Sequence, residues 1–468
     1  MRITLGSQIT IEEPTPDILA WCKKTLVIAN PEYTKKMRMG FWVGNTPQTL
    51  SLYEKDGDKI LLPYGCLYDI FWLAPKNTDL ILDQGAISRV DFDANIPLYD
   101  YQEEAVEKMF EHHVGILQSP AGSGKTQTML ALACRLGVKT LWIAHTRDLV
   151  KQSKDRAELY MDKSLTGMIT EGKVEIGEAI TFATIQTLSN LDLNKYRDVW
   201  DCVIVDECHR ISGSPTNLTM YAKVLNRLSA RFKFGMTATV HRADGTIAAT
   251  EALIGKVAHQ VPISAVAEKI MNVSIFPRAT HIPMSRDFLG TDGMVQYTKL
   301  ISYLTQAERR NFQISQDLIA NKDHYCLILS DRLEHLKKLM DWLPSDIREQ
   351  AVMVDGKMTS KKAKEAREKA IEDMRNGEKH FLFASYALAK EGLDIPRLDR
   401  LFMATPQKDS AIVTQAIGRI GRTFEGKSDP VVYDYVDEKI LGLLKGYKVR
   451  CRTYKKLNCK IMDGETVS

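Results

Sequence analysis

From Tyr99 onward the chain alternates short, almost unbroken apolar runs with longer stretches whose apolar residues recur at helical spacing. The runs VGILQS, TLWIAH, AITFA, CVIVD and FKFGM form one series; YCLILS, AVMVD, HFLFAS, RLFMAT and PVVYDYV, beginning near Tyr325, form a second. Apolar strands separated by helices are the pattern of a parallel sheet covered on both faces. The pattern predicts an α/β fold with two tandem parallel-sheet domains, over residues 93–260 and 323–440, with the connection between them inside 261–322. Residues 1–92 differ. There the apolar runs LVIAN, FWVG, LSLYE and KILLPYG lie between aromatics and Gly/Pro turns, which predicts a small strand-rich N-terminal accessory domain. The charged stretch SKKAKEAREKAIEDMR, from Ser360 to Arg375, reads as a helix with a solvated face.

Composition sets limits. With 468 residues, 44% hydrophobic and 26% charged, the chain is an ordinary folded protein of two or three domains. Its 63 Lys and Arg against 59 Asp and Glu leave +4, too little to call by itself for a polyanionic partner. Eight cysteines without a C-x-x-C pair speak against a disulfide framework or a zinc ribbon and for a reducing compartment. The opening MRITLGSQITIEEP lacks a basic-then-apolar leader, and no apolar run nears the roughly 18 residues that span a bilayer. A cytoplasmic protein with no membrane partner is expected. Charge is nevertheless uneven, because seven Lys or Arg and no acid lie between Lys445 and Lys460, so 441–468 reads as a basic C-terminal tail.

Chemistry enters at VGILQSPAGSGKT, where an apolar strand runs into a loop holding Ser119, Gly122, Ser123 and Gly124, and a helix opens at Lys125-Thr126. Small residues let backbone N–H groups turn onto phosphate oxygens, the helix N-terminus adds its positive dipole end, and Lys125 supplies a mobile cation. Thr126 is placed to ligate Mg²⁺. Ser119 departs from the usual phosphate loop, which has glycine there. About eighty residues later VIVDECHR ends an apolar strand in two carboxylates, Asp206 to hold Mg²⁺ at the sheet's carboxyl edge and Glu207 to orient the attacking water. His209 is placed to relay the nucleotide state to neighbouring loops. ATP and Mg²⁺ are the expected substrate and cofactor.

With this loop, the DECH box and QAIGRIGR in one chain, the sequence resembles superfamily 2 helicases of the DExH type, motors built from two RecA-like domains. The resemblance runs from about Pro97 to Val436. It implies that Arg419 and Arg422, three apart on a helix beside Gln415, reach the bound phosphates from the second domain when the cleft closes. It implies that Thr237-Ala238-Thr239 and Arg242 couple hydrolysis to nucleic-acid binding, and that Gln102 hydrogen-bonds adenine. Thr146 and Arg147 in AHTRDLVKQ, Thr184 and Gln186 in TIQTL, Ser330 in LILSDRLEHL and Ser385 in ASYALAKEGLDIP would contact a nucleic-acid backbone. Gly392 and Asp394 would approach the nucleotide.

TATVHRADG is similar to the form found in helicases that remodel double-stranded or branched DNA, and NPEYTKKMRMG with LPYGCLYDIFW is similar to accessory domains of phage UvsW-like helicases. The implied activity is that of an ATP-dependent DNA helicase or translocase, of the UvsW-like or RecG-like kind. It would unwind or branch-migrate forked, branched or single-stranded DNA in recombination, repair or replication, with proteins of those processes as partners. A departure lies at LYDYQ, where related DNA helicases often have LRPYQ, so Tyr99 and Asp100 replace an arginine and a proline. Two other readings stay open: an RNA-remodelling DExH helicase, and a non-unwinding motor subunit of a restriction-type complex, although no nuclease constellation is evident.

Overall fold

The computed structural model describes the chain except residues 93, 121, 214, 239–246, 267–270, 291–293, 355–360, 391–392, 394 and 463–468. The chain divides into two compact units, one from residues 1–120 and 124–265, the other from residues 121–123 and 266–468. Among the described residues, each unit holds one large, mainly parallel sheet, of eight strands in the first and seven in the second.

In the first unit the strand order is Lys173–Glu175, Thr166–Thr170, Ile180–Thr184, Thr140–Ala144, Cys202–Asp206, Phe232–Thr237, Val114–Gln118, Val257–Gln260. All ladders are parallel except the one at the Lys173–Glu175 edge. Strands 140–144, 180–184 and 202–206 are buried at every position, which is why their sequences show no in–out alternation. Leu141, Ile143, Val203 and Val205 join Tyr221 and Leu225 of the helix Pro215–Leu225 in one core. Removing such side chains from water contributes about 1.5–3 kcal/mol each. On another part of this sheet Trp142 tilts against Phe182 at 5.8 Å.

The N-terminal residues form a mixed five-stranded sheet within the same unit, in the order Glu54–Asp56, Lys59–Pro63, Gln8–Glu12, Arg2–Leu5, Asp79–Leu82. Here alternation is clear: Ile3, Leu5, Ile9, Ile11, Ile60 and Leu62 face one core with Ile18 and Cys22 of the helix Pro16–Thr25. This layer is seated on the large sheet. Gly65 lies so close to the backbone of Ala252 that a Cβ would stand 2.5 Å from its carbonyl oxygen. The buried Lys233 ammonium donates to the carbonyls of Ser7 (3.0 Å) and Leu225 (2.7 Å), and burial pushes its pKa down to about 7. LVIAN and LSLYE pair as short antiparallel strands, Val27 opposite Ser51. FWVG does not form a strand. Bracketed by Gly40 and Gly44 at positive φ, it leaves Phe41 63% and Trp42 87% exposed.

The second sheet runs Ala351–Val354, Phe381–Ser385, Cys326–Ser330, Arg400–Met403, Val431–Val436, Ser274–Ala279, Lys460–Ile461, all parallel. Its strand Ser274–Ala279, together with the helices Tyr297–Gln306 and Glu308–Ala320, comes from the stretch where the connection was expected. The charged stretch after Ser360 forms the helix Lys361–Asn376, with Met374 buried. Residues 441–462 are not a loose tail: a helix, Leu441–Lys456, leads into the strand Lys460–Ile461. Arg450 makes a buried bidentate pair with Asp434 (2.8 and 2.7 Å), and the Tyr454 hydroxyl donates to the same carboxylate at 2.6 Å. Among the described residues, no helix is long and apolar enough to cross a membrane.

Candidate active site

Three adjacent strands of the first sheet end level with one another, since register pairs Thr237 with Gln118 and Asp206 with Met236. The loops that follow all leave from the carboxyl edge, where parallel sheets place ligand crevices. The phosphate loop begins with the Ser119 N–H donating to the Thr237 carbonyl at 3.0 Å. It ends at Gly124, whose φ of 74° precedes the helix Lys125–Leu136. A Cβ there would meet the end of the Gln102 side chain at 2.5 Å, which can shift, so it is the left-handed backbone that calls for glycine at 124. Ser119 and Ser123 are buried and Gly122 is exposed. The Lys125 ammonium donates to the carbonyls of Ser119 (3.3 Å) and Pro120 (3.4 Å). Thr126, the next helical residue, is partly exposed.

Gln102 is committed locally. Its Oε1 accepts from the Tyr99 N–H at 3.0 Å, capping the helix Asp100–Phe110, and its Nε2 approaches the Gly124 carbonyl at 3.5 Å. The expected adenine contact thus sits on a side chain that already ties this helix to the phosphate loop. Tyr99, 49% exposed, stacks on Tyr101 at 5.8 Å.

Asp206 ends its strand buried, and Glu207 follows with φ of 47°, a left-handed conformation that a glutamate adopts only under constraint. His209 Nδ1 lies 3.2 Å from Glu207 Oε2 and 2.9 Å from Thr237 Oγ1. His209 Nδ1 therefore stands between the acid box and the end of the neighbouring strand, in hydrogen-bond distance of Thr237 and in ion-pair range of Glu207. Burial, then the Glu207 carboxylate, push the Asp206 pKa up, while the Lys125 ammonium opposes them. Asp206 and Glu207 bring carboxylate oxygens, the donors Mg²⁺ takes, to the sheet edge beside the Lys125 and Arg210 charges, so the site fits Mg²⁺. Cys208 is buried against the sheet, where a Cβ on Gly235 would stand 2.8 Å from its sulfur. Among the described residues no group of three or more metal-ligating side chains forms.

Two residues without an expected role belong to this edge. The charge of Arg210 favours the Asp206 carboxylate and also acts on His145, whose pKa burial and that cation push down to about 4. His145 Nδ1 lies 3.5 Å from Gln186 Nε2. The only signal in the sequence was a cation beside the acid box.

The candidate nucleic-acid groups divide. Thr146 caps the helix Arg147–Ala157 by accepting from the Leu149 N–H at 3.4 Å, and the exposed Arg147 pairs with Glu171 at 3.1 Å. Register places Thr184 opposite Ala144, near this pair. Ser330 and Ser385 are register partners in the second sheet. Ser385 accepts from the Leu388 N–H at 3.3 Å. Two residues depart from the surface role expected of them. Thr184 is buried and donates to Thr187 Oγ1 at 2.9 Å. Ser330 is fully buried, 3.1 Å from His335 Nδ1, and accepts from the Arg332 N–H at 3.1 Å. Both hydroxyls serve the loop's own structure, a competing use common for such residues at strand ends.

Gln415 and Arg419 lie on the helix Ser410–Ile420, partly buried. This helix ends at Gly421, so Arg422 lies beyond the cap and does not share a helical face with Arg419. Thr239, Arg242, Gly392 and Asp394 fall outside the described residues.

Comparison with known proteins adds two family matches. Residues 95–242 match the family described as type III restriction enzyme, res subunit, and residues 288–424 match the helicase conserved C-terminal domain. The chain is 25% identical over 387 residues to "Probable helicase D10" of Escherichia phage T5, covering 80% of this chain and 81% of that one. It is 24% identical over 358 residues to "DNA 3'-5' translocase XPB2" of Sulfurisphaera tokodaii, covering 70% and 79%. Among solved structures, Mss116p bound to ssRNA and AMP-PNP aligns with a TM-score of 0.55 at 16% identity, over 79% of this chain and 75% of that one, a likeness of fold. The T4 UvsW crystal structure aligns over 99% of both chains at 18% identity, with a TM-score of 0.41.

Proposed function

The chain belongs to the superfamily 2 helicases, and from that membership we propose that it couples ATP hydrolysis to movement along DNA, unwinding or branch-migrating forked and junction substrates. The observation that carries this reading is the chain from Glu207 through His209 to Thr237 beside the phosphate loop. It joins the group that would handle the attacking water to the strand end from which the nucleic-acid-responsive loop departs.

In this proposal Gln102 reads adenine, while the loop from Ser119 through Gly122, Ser123 and Gly124 cradles the phosphates with Lys125. Thr126 and Asp206 would hold Mg²⁺, which when bound neutralises phosphate charge. Glu207 orients the attacking water, and Arg419 and Arg422 stabilise charge that grows on the transferring phosphoryl group. Gln415, His209 and Thr237 pass the outcome to the nucleic-acid grip, to which Thr146, Arg147, Gln186 and Ser385 contribute. Contacts of that kind hold a backbone with little regard to sequence.

DNA as the track is supported by the similarity to the archaeal protein named a DNA 3'-5' translocase and by the TATVHRADG form. Recombination, repair or replication are the processes that supply forks and junctions. The test is ATP hydrolysis and strand displacement on single strands, forks, four-way junctions and RNA at one fixed salt concentration. DNA should stimulate hydrolysis, with displacement on branched substrates. Stimulation by RNA alone would overturn the DNA reading, and hydrolysis without displacement would instead favour a restriction-type motor subunit, to which the first family match lends its name.

A further inference from the structure

We propose that Lys427 is a positioning residue, a three-way staple that fixes the backbone at Arg422 against the turn ending at Pro396. It deepens the proposed function and rests on the assignment of Arg422 to charge stabilisation. The Lys427 ammonium donates to the carbonyls of Ile420 (2.7 Å), Arg422 (2.6 Å) and Pro396 (3.0 Å). An ammonium has three donors and no acceptor, so these three carbonyls use it completely.

Each acceptor has a reason to want a cation. Ile420 is the last residue of its helix, where carbonyls lack intrahelical partners and the dipole's negative end favours positive charge. Arg422 lies just past the cap, with no helix to set its backbone. Pro396 closes the GLDIP segment, whose earlier residues the family resemblance assigns to the nucleotide. One side chain thus joins two stretches that would answer the same phosphates.

The chain is folded back to make this possible. Gly426 has φ of 73°, and the Lys427 N–H donates to the Phe424 carbonyl at 3.2 Å. Beside Pro396, the Arg397 guanidinium covers the Phe424 ring at 4.8 Å, a second link between the same two stretches.

The charged groups acting on the ammonium are Asp399, which favours it, and Arg422, which opposes it; Arg397 flanks the same turn. Burial outweighs Asp399 and pushes the Lys427 pKa down to about 8. Deprotonation as pH rises through that value removes one of the three donors and turns a lone pair towards a carbonyl. The staple should therefore weaken from neutral to alkaline pH.

The experiment compares nucleic-acid-stimulated ATP hydrolysis by the full chain as wild type, Lys427→Met, Lys427→Arg, Arg422→Ala and the double variant Arg422→Ala/Lys427→Met. Lys427→Met should lower kcat about 10- to 100-fold, the scale of a small misplacement of a group near the reaction. The KM for ATP should stay unchanged, and Lys427→Arg should recover most of the loss. Adding Lys427→Met to Arg422→Ala should cost nothing further, because the lysine acts through the arginine. Wild-type kcat should fall between about pH 7 and 9 around the shifted lysine pKa, and Lys427→Arg should flatten that limb. If Lys427→Met does not fold, Lys427→Gln takes its place, and the wild-type pH profile needs no variant. A defective Arg422→Ala alongside a normal Lys427→Met, or multiplied losses in the double variant, would overturn the staple. Normal turnover in Arg422→Ala would overturn the arginine assignment beneath it.

Discussion

The two large sheets share a parallel plan and carry their candidate groups at the carboxyl edge, yet they equip that edge in opposite ways. In the first, Asp206, Glu207, Lys125 and His209 lie together, and the strained backbone at Glu207 keeps carboxylate and imidazole in reach. In the second, Ser330 and Ser385 end adjacent strands as neutral caps, and the cations are Arg419 and Arg422, one on a helix and one past its end. On the proposed function, the difference amounts to a division of labour within one architecture. Chemistry at a metal and a water needs acids at fixed spacing, whereas stabilising the charge that results needs cations whose positions the backbone sets.

The sharpest way to break this contrast is Arg422→Ala, which should lower kcat about a thousandfold while leaving nucleotide affinity intact, as steady-state hydrolysis and fluorescent-nucleotide titration would show. Glu207→Gln should keep ATP binding and cut turnover by about a hundredfold or more. Ordinary steady-state hydrolysis in that variant would move the water-orienting role off the first sheet. Thr237→Val removes the hydroxyl that meets His209, so nucleic-acid stimulation should drop about tenfold with basal hydrolysis nearly untouched. An equal loss in both would mean that the contact is merely structural. Asp206 binds its proton more tightly than an ordinary carboxylate, and metal must compete with that proton. Magnesium affinity should weaken as pH falls through the acid side of neutrality, by up to about tenfold per pH unit, and Asp206→Asn should abolish the slope. Smallest of all, Ser385→Ala should cost about 1 kcal/mol in denaturant unfolding, the scale of a lost cap.

Much of the parallel core was legible because burial on both faces leaves an unmistakable mark. All ten apolar runs of the two series overlap strands, from Val114–Gln118 to Val431–Val436. The phosphate loop and acid box were legible because small residues and paired acids at strand ends have few other uses. FWVG failed as a strand because three apolar residues between glycines carry no information about a pairing partner. Arg422 was misplaced because arginine spacing does not reveal where a helix stops, which Gly421 settles. Ser330 was at the right strand end, but nothing local shows His335 folding over its hydroxyl. Lys427 left no trace at all. A lysine in a polar turn looks solvated until two nearby carbonyls and a distant one converge on it.

The ammonium of Lys233, shared between the Ser7 and Leu225 carbonyls beneath the Tyr64 ring, limits how this chain can be trimmed. A truncated polypeptide starting at residue 93 would lose both Ser7 and Tyr64 and expose the surface against which Gly65 is wedged. Such a fragment should precipitate or melt early, so the leading ninety or so residues behave as a keel for the first motor half and cannot be treated as detachable cargo.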